Sequence, residues 1–318
     1  MDYQPLGRST LLVPRLGLGA MTWGEAAGLA RLHPAKTAYG GAEGTTEEKG
    51  AFEASITAGV TLFDTAAMYA GGASERRLGE FAPGTEAIIA TKFPPRIRAT
   101  EADLPRALDA SLGRLGTSSV DLYQHHFPSR RVDIGRLMAL MADEVEAGRV
   151  RAIGVSNYSA AQVRVAHAAL AERGLPLASV QVQYSLLHRQ PETDGVLEAC
   201  RELGATLIAY QPMASGLLTV KYTRGRRPRG LRRFSPPFRR RALESVDPVI
   251  GLLREIGAGR GATPAQVAVR WLIENPLVLP IPGAKNRRQA ISNAGALTFS
   301  LEPAEVEALD RATRKWRG

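Results

Sequence analysis

Short apolar runs rich in β-branched residues alternate with amphipathic stretches along most of the chain. The apolar runs are typical of strands in a buried parallel sheet, and the stretches between them predict helices, as in repeated βα units. Helix-start signals are found at Thr45-Thr46-Glu47-Glu48, at Thr100 and at Thr263-Pro264. Eight strands are predicted, at residues 16–18, 60–64, 88–92, 121–126, 152–156, 180–184, 206–211 and 278–282.

Eight parallel strands can form either a closed barrel or an open, doubly wound sheet. An open sheet that binds a dinucleotide normally places G-x-G-x-x-G between its first strand and the next helix. Here Leu16-Gly17-Leu18-Gly19-Ala20 is followed by a long loop over residues 24–44 and no helix start. We therefore predict an α/β fold with one domain over residues 1–318, a (β/α)8 TIM barrel with long loops at its C-terminal face. Residues 3–19 predict an N-terminal β-hairpin that turns at Gly7-Arg8-Ser9.

The composition fits one large globular domain. The chain has 318 residues, of which 44% are hydrophobic, so it can bury a large core. Its single cysteine, Cys200, excludes a disulfide framework and favours a reducing compartment, so we expect a cytoplasmic protein. No window approaches about 18 consecutive apolar residues, and we expect neither a membrane span nor a signal peptide. We also expect no metal site.

The formal net charge of +10 comes from one segment. Residues 221–241, which we call the basic segment, contain ten Lys and Arg residues and no acid, and the rest of the chain holds 31 basic and 31 acidic residues. Such a segment can be a solvated loop, a clamp for the phosphates of a ligand, or a contact for a polyanion. Because only Tyr222, Phe234 and Phe238 could stack on bases, nucleic acid is the least favoured partner.

Polar side chains stand at the ends of three consecutive predicted strands. Asp64 ends the second strand and Tyr69 follows five residues later, Lys92 ends the third strand, and His125-His126 end the fourth. In a barrel the carboxyl ends of the strands meet at one face, where the active sites of this fold are found. An acid, a phenol, a lysine and a histidine would therefore share one cavity.

These four side chains meet the needs of carbonyl reduction, in which a hydride goes to carbon and a proton goes to oxygen. A phenol has a pKa of about 10 and donates a proton poorly unless an ammonium such as that of Lys92 stabilises the phenolate. A buried lysine in turn needs a carboxylate such as Asp64, and a neutral imidazole can orient the substrate oxygen. Taken singly, each residue also has an ordinary structural explanation, such as a helix cap or a packed tyrosine.

With these residues in place, the chain resembles the aldo-keto reductases along nearly its whole length. The most specific part, Phe63-Asp64-Thr65-Ala66 followed by Tyr69, Gly72, Ser74-Glu75 and Leu78-Gly79, looks like the signature segment of that family. The resemblance implies a TIM barrel that reduces aldehydes and ketones to alcohols with NADPH, reversibly. Further segments are similar in order and spacing, at residues 3–9, 16–19, 121–128, 153–158, 181–187, 263–268 and 281–284.

The resemblance implies a catalytic tetrad of Asp64, Tyr69, Lys92 and a histidine, with Tyr69 as the proton donor. Strand alternation does not choose between the two adjacent histidines, because both faces of this strand are buried. The family's spacing to Phe127-Pro128 selects His126. His125 then stands where the family usually has an aliphatic residue, either as a packed neutral histidine or as a second group of the pocket.

The cofactor site is implied in the same way, for NADP(H). Ser156, Asn157 and Gln181 look like the trio that hydrogen-bonds the nicotinamide carboxamide, and Tyr210 resembles the aromatic residue that stacks on the nicotinamide ring. Lys285, Arg287 and Arg288 supply cations for a 2′-phosphate, although Gly283-Ala284 stand where one variant of the family has Lys-Ser. Further expected contacts are Pro212, Met213, Gly216 and Leu217 along the pyrophosphate, and Gly283, Lys285, Gln289 and Asn293 at the adenosine-phosphate end.

The expected substrate is a small carbonyl compound in an apolar pocket lined by Trp23 and Phe127, with Tyr39. The basic segment lies beside the expected pyrophosphate path, and its arginines either pair with the cofactor phosphates or face water. Two other functions stay open: an NADPH-binding regulatory subunit with slow turnover, and a polyanion-binding protein that uses the basic segment. The sequence indicates neither the particular carbonyl substrate nor the oligomeric state.

Overall fold

The structure is a computed structural model that describes residues 3–25, 44–93, 100–222, 225–228 and 233–318. Its eight parallel strands pair in chain order, each with the next, and a bridge between Gly19 and Gly283 joins the two edges. The predicted TIM barrel and the predicted hairpin are confirmed. The hairpin strands are β1 (Tyr3–Pro5) and β2 (Leu12–Pro14), and the barrel strands are β3 (Gly17–Gly19), β4 (Leu62–Asp64), β5 (Ile88–Phe93), β6 (Val120–His125), β7 (Val150–Ser156), β8 (Leu177–Gln183), β9 (Thr206–Tyr210) and β10 (Val278–Pro280).

Helices surround the barrel, and two of the predicted start signals are present as capping boxes. Thr100 pairs with Asp103 and Thr263 pairs with Gln266. Thr45 itself lies inside its helix, which begins after Gly44 and has no side-chain cap. Over the described residues the α-helices are α1 (Thr45–Thr57), α2 (Ala73–Phe81), α3 (Leu104–Leu115), α4 (Ile134–Glu146), α5 (Ala160–Ala171), α6 (Val196–Leu203), α7 (Arg240–Ala258), α8 (Pro264–Glu274), α9 (Arg287–Ala294) and α10 (Pro303–Ala312).

The hairpin closes the N-terminal end of the barrel. Leu6, Leu11 and Val13 pack in one cluster with inward-facing residues such as Leu62 of β4 and Leu122 of β6. The turn lies so close to β8 that a Cβ at Gly7 would be 2.5 Å from the carbonyl oxygen of Ala178, and φ there is +58°. Only glycine fits such a turn without strain.

The barrel interior is apolar in its N-terminal half and polar in its C-terminal half. Asp64, Lys92, Gln124 and Gln181 are all buried there, at or near the carboxyl ends of four strands. The larger part of the hydrophobic core lies outside the barrel, between its strands and the surrounding helices. Over the described residues, no helix combines the length and the apolar composition needed to cross a membrane.

Candidate active site

A buried ion pair lies at the carboxyl ends of β4 and β5. The side chains of Asp64 and Lys92 are 4% and 0% exposed. Lys92 Nζ donates to Asp64 Oδ1 at 2.5 Å and to the carbonyl oxygen of Thr65 at 2.7 Å. It also reaches Tyr69 Oη at 3.5 Å and lies 5.0 Å from the centre of the phenol ring. An ammonium has three N–H donors, so all three are accounted for and one of them points to the phenol.

The phenol is carried by a 3₁₀ turn, Tyr69–Gly72, between β4 and α2. The last three residues of this turn have left-handed backbone conformations. At Gly72 a Cβ would lie only 2.5 Å from Cδ of Arg114, so glycine lets α3 approach the turn closely. On the other side, Ser74 Oγ is 2.7 Å from Thr65 Oγ1. Contacts on both sides therefore fix the position of Tyr69.

The two adjacent histidines have different surroundings. The His126 ring lies edge-on to the Tyr69 ring, with 5.7 Å between ring centres and 83° between planes. His125 Nδ1 is instead 2.7 Å from Tyr158 Oη, and its ring packs against Phe93. Successive residues of a strand point to opposite faces, which explains the difference. The structure thus brings His126, and not His125, next to the phenol.

Burial lowers the pKa of both imidazoles. The pKa of His125 falls to about 4 through burial. The pKa of His126 falls to about 2 through burial and the positive charge of Lys92. Both side chains are therefore neutral at neutral pH. His125 fits the packed neutral histidine of the two alternatives, and His126 has the neutral form that carbonyl orientation requires.

The phenol and the ammonium also have shifted pKa values. Burial lowers the pKa of Lys92, against the attraction of Asp64. Burial, and then the negative charge of Asp64, raise the pKa of Tyr69 well above its usual value. The expected net lowering of the Tyr69 pKa is therefore not met: burial and Asp64 outweigh the ammonium of Lys92, which is 2.5 Å from the carboxylate and 3.5 Å from the phenol. At neutral pH Tyr69 Oη holds its proton.

A glutamine that we did not single out from the sequence completes this polar layer. Gln124 Nε2 donates to Asp64 Oδ2 at 3.2 Å. Gln181 Nε2 donates to the same oxygen at 2.8 Å and to Gln124 Oε1 at 3.2 Å. Because β8 and β4 are not neighbours, these bonds cross the barrel interior. The sequence signal was parity: Gln124 lies two residues before His126 and therefore on the same face of the strand.

The residues expected to hold the nicotinamide carboxamide lie directly beside the tetrad. Asn157 Nδ2 donates to the carbonyl oxygen of His126 and to Ser156 Oγ, both at 3.0 Å. Ser156 Oγ donates to the carbonyl oxygen of Gln181 at 3.0 Å, and Tyr210 Oη donates to Asn157 Oδ1 at 2.9 Å. The structure thus brings all four predicted residues of this group together.

The loop after β9 holds the residues expected along the pyrophosphate. It continues from Pro212 and Met213 into a 3₁₀ segment, Ala214–Thr219, which includes Gly216 and Leu217. The Gly216 amide donates to the carbonyl oxygen of Met213 at 2.9 Å. This amide is therefore used within the loop, and the contact of the loop with the pyrophosphate stays a prediction. Leu217 is buried in the core.

The expected adenosine-phosphate residues gather around the start of α9. The Lys285 amide donates to Gln289 Oε1 at 3.0 Å, and Asn293 Nδ2 donates to the carbonyl oxygen of Gly283 at 3.2 Å. Asn286 caps the helix by accepting from the Gln289 amide at 3.1 Å. Beside them is an open cavity of about 460 Å³, with two arginines and a helix N-terminus that suit an anion. Its lining residues are Glu47, Asn286, Arg287, Arg288 and Ile291.

The two residues predicted to line the apolar pocket lie in different surroundings. Phe127 is 40% exposed and stacks on the His126 ring, with 4.6 Å between ring centres and 13° between planes. Trp23 is fully buried; its Nε1 donates to the carbonyl oxygen of Ala284 at 2.7 Å, and its ring packs against Phe63. The prediction that Trp23 lines the pocket is therefore wrong, because this side chain is part of the core. Tyr39 lies outside the described residues.

The basic segment is described only in part, and Arg224 and Arg229 lie outside the described residues. Arg227 Nε donates to the carbonyl oxygen of Phe238 at 2.8 Å, and the same guanidinium donates to the carbonyl oxygen of Arg233. These bonds join residues of the segment to each other. Arg227 thus has a structural role here, and its expected role as a phosphate clamp gains no support.

Comparison with known proteins fits this geometry. The sequence model of the aldo/keto reductase family matches residues 15–314. The chain is 38% identical over 307 residues to an uncharacterized oxidoreductase of Mycobacterium tuberculosis, covering 96% of this chain and 91% of that protein. It is 34% identical over 330 residues to the chloroplastic pyridoxal reductase of Arabidopsis thaliana, covering 98% and 87%.

A solved structure shows the same likeness in three dimensions. It is an aldo-keto reductase from Klebsiella pneumoniae in complex with NADPH, which is 27% identical, covers 98% of this chain and 95% of that chain, and has a TM-score of 0.74. The family match covers nearly the whole barrel, including every strand that carries a predicted catalytic residue. The chain therefore belongs to the aldo/keto reductase family of oxidoreductases.

Proposed function

We propose that this protein reduces the carbonyl group of an aldehyde or ketone to an alcohol with NADPH, and catalyses the reverse oxidation. The observation that carries the proposal is the convergence of Tyr69, Lys92, Asp64 and His126 at the C-terminal end of the barrel. Tyr69 Oη donates its proton to the substrate oxygen. The Lys92 N–H that points to Oη then stabilises the negative charge left on the phenol oxygen.

His126 orients the substrate oxygen. Its buried Nδ1 has no hydrogen-bond partner among the described residues. A buried N–H without an acceptor is costlier than an unused lone pair, so the neutral ring carries its proton on Nε2. From there it donates to the carbonyl oxygen of the substrate, beside the phenol.

The residues at this end of the barrel fit a nicotinamide cofactor. Among the described residues, none donates to Gln181 Oε1, whereas both N–H groups of the same amide are used. A carboxamide N–H is a suitable donor for that oxygen. Tyr210 belongs to the same group of residues, because its Oη donates to Asn157 Oδ1. Bound at this place, a reduced nicotinamide supplies the hydride. Arg287 and Arg288 at the α9 cavity favour the extra phosphate of NADPH, the cofactor in the Klebsiella structure.

Phe127 gives the best indication of the substrate class. Its exposed ring, stacked on His126, offers a flat apolar surface next to the reacting oxygen. Flat apolar groups bury area against such a surface. We therefore expect an aldehyde or ketone carried on a flat or apolar group, and pyridoxal belongs in any panel because the Arabidopsis relative is named for its reduction.

The proposal is tested with a panel of aldehydes and ketones, NADPH or NADH, and three forms of the protein. Tyr69→Phe removes the proposed proton donor and should lower kcat by about 10²–10⁴-fold. Tyr123→Phe is the matched control, because Tyr123 Oη is buried and without a partner among the described residues. The control should keep the wild-type kcat.

Each other result has a definite meaning. Full activity of Tyr69→Phe would overturn the assignment of the proton donor. Tight NADPH binding by the wild type with turnover on no carbonyl compound would favour the regulatory subunit. Salt-dependent retention on nucleic acid, together with no NADPH binding, would favour the polyanion-binding function.

A further inference from the structure

Gln124 is a polar side chain in the middle of the barrel. Neither the family likeness nor the catalytic tetrad gives it a role. It is fully buried, and in the sheet register it lies between Lys92 of β5 and Gly154 of β7. A Cβ on Gly154 would lie 3.1 Å from Gln124 Cγ and 2.3 Å from Ser179 Oγ. The neighbouring strand thus has a glycine where an ordinary side chain would crowd this amide. A leucine would fill the barrel without the cost of burying an amide.

The chemistry of Asp64 decides how the two glutamine amides are oriented. A carboxylate oxygen only accepts hydrogen bonds, so both amides must turn their NH₂ groups toward Asp64 Oδ2, at 3.2 Å for Gln124 and 2.8 Å for Gln181. The second N–H of Gln181 donates to Gln124 Oε1 at 3.2 Å. Gln124 therefore acts in both directions, as a donor to Asp64 and as an acceptor for Gln181.

These hydrogen bonds determine where the side-chain oxygen of Gln181 points. With both of its N–H groups used, its Oε1 points away from Asp64, and no described residue donates to it. The backbone of Gln181 is held as well, because its carbonyl oxygen accepts from Ser156 Oγ at 3.0 Å and from the Asn157 amide at 2.9 Å. The amide is thus fixed in a single orientation, with one oxygen available to a ligand.

We propose that Gln124 is a positioning residue: it holds the Gln181 amide so that Gln181 Oε1 is presented to the carboxamide N–H of the nicotinamide cofactor. This inference rests on the proposed function, since it concerns the same cofactor. It adds a link between the two halves of the site, because one carboxylate, Asp64, serves both Lys92 and the amides that face the cofactor.

The sharpest variant is Gln124→Glu, which keeps the shape and changes the charge. When the introduced carboxyl group is protonated, its O–H donates to Asp64 and its carbonyl oxygen accepts from Gln181, as in the wild type. When it ionises, two carboxylates face each other across a hydrogen-bond distance, and their repulsion displaces the amide. Such a pair raises the pKa of one member, so the change should fall between about pH 6 and about pH 9.

The measurement is the Kd of NADPH, from quenching of tryptophan fluorescence, between about pH 6 and about pH 9. For Gln124→Glu the Kd should be close to the wild-type value at the acid end and about tenfold higher at the alkaline end. Gln124→Leu should raise the Kd about tenfold at every pH. Ser179→Ala is the matched control: Ser179 Oγ is buried in the same barrel without a partner among the described residues, so its loss should leave the Kd unchanged.

The outcomes separate this inference from the proposed function. If the wild-type protein does not bind NADPH, the proposed function fails. If it binds NADPH and both Gln124 variants bind it as the wild type does at all pH values, Gln124 has no positioning role. Should Gln124→Glu unfold at alkaline pH, as shown by circular dichroism, the Kd for Gln124→Leu decides alone: a tenfold rise supports the inference, and an unchanged value overturns it.

Discussion

Thr91 and Lys92 are neighbours on β5, and each contacts a buried carboxylate on its own face of the strand. On the inner face, Lys92 donates to Asp64 at 2.5 Å and reaches toward Tyr69 at 3.5 Å. On the outer face, Thr91 Oγ1 donates to Glu75 at 2.6 Å. The other oxygen of Glu75 accepts from Arg114 Nε, also at 2.6 Å.

The two sites differ in what their charged groups contact beyond the ion pair. The outer carboxylate connects α2, β5 and α3, and each of its contacts joins one structural element to another. In the inner ion pair, Lys92 makes a further and longer contact with the phenol of Tyr69. That phenol lies next to the imidazole of His126, beside the expected substrate position. Burial alone therefore does not mark a catalytic charge. An ion pair with a further contact to a titratable side chain in a cavity is the better sign.

Removing the inner cation should have the largest effect. Lys92→Met leaves Asp64 without its ammonium and leaves no cation to stabilise the phenolate of Tyr69. We expect kcat for carbonyl reduction to fall by about 10³-fold. Steady-state kinetics checks this, with thermal unfolding to confirm the fold. A kcat within threefold of wild type would show that the inner pair is structural.

Breaking the outer ion pair should affect stability instead. Arg114→Met leaves the fully buried Glu75 carboxylate with Thr91 as its remaining side-chain partner. We expect a loss of about 3 kcal/mol in the free energy of unfolding, at the lower end of the range for a buried pair because Arg114 is partly exposed. Urea denaturation gives this value.

The kinetics of the same variant provides the contrast with Lys92→Met. At a temperature where Arg114→Met is folded, kcat should stay within about threefold of wild type, since the methionine places Sδ where Arg114 Cδ contacts the turn at Gly72 and no residue that contacts substrate is changed. A fall of kcat as large as that expected for Lys92→Met would remove the distinction between the two faces of β5.

The two histidines extend the comparison to β6 through the pH dependence of stability. His125 has a folded-state pKa of about 4, below its ordinary value of 6.5. The unfolded chain therefore binds the proton first, and stability is lost as pH falls from 6.5 toward 4. His125→Leu should reduce this loss by about 1.4 kcal/mol per pH unit within that window. Urea unfolding at several pH values measures it, and an unchanged acid dependence would exclude the buried neutral histidine.

Tyr158→Phe should have the smallest effect. It removes only the hydroxyl that lies 2.7 Å from His125 Nδ1. The expected cost is about 1 kcal/mol of unfolding free energy, the usual value for one hydrogen bond. The kcat should not change, because the Tyr158 hydroxyl is hydrogen-bonded to His125, on the face of the strand opposite to His126. A large loss of kcat without loss of stability would place this pair in the catalytic machinery.

The sequence was most informative where polar residues end apolar strands. Asp64, Lys92 and the pair His125-His126 could be located in this way, since a buried strand that ends in a polar side chain is uncommon and the barrel brings such ends together, whereas the choice of His126 came from the family resemblance. Which of the two histidines faces the site could not be predicted from alternation, because a parallel strand is buried on both faces; once His126 is chosen, parity places Gln124 on its face and His125 on the other. Trp23 was misplaced for a related reason: a tryptophan in a loop can turn into the core as readily as toward a pocket.

The electrostatics of the site also depended on distances that a sequence does not contain. The pKa of Tyr69 is raised by burial and then by the charge of Asp64, and the ammonium of Lys92 is closer to that carboxylate, at 2.5 Å, than to the phenol, at 3.5 Å. Spacing along the chain predicted that the charges meet, but not which of two partners the ammonium approaches more closely.

The most direct test of the central claim is a single-turnover reaction with enzyme in excess and NADPH already bound, comparing wild type with Tyr69→Phe on the best substrate of the panel. This design removes product release from the observed rate. If the inner face of the barrel performs the chemistry through the phenol proton, the rate should fall by about 10²–10⁴-fold while the Kd of NADPH stays the same. An unchanged single-turnover rate would contradict it.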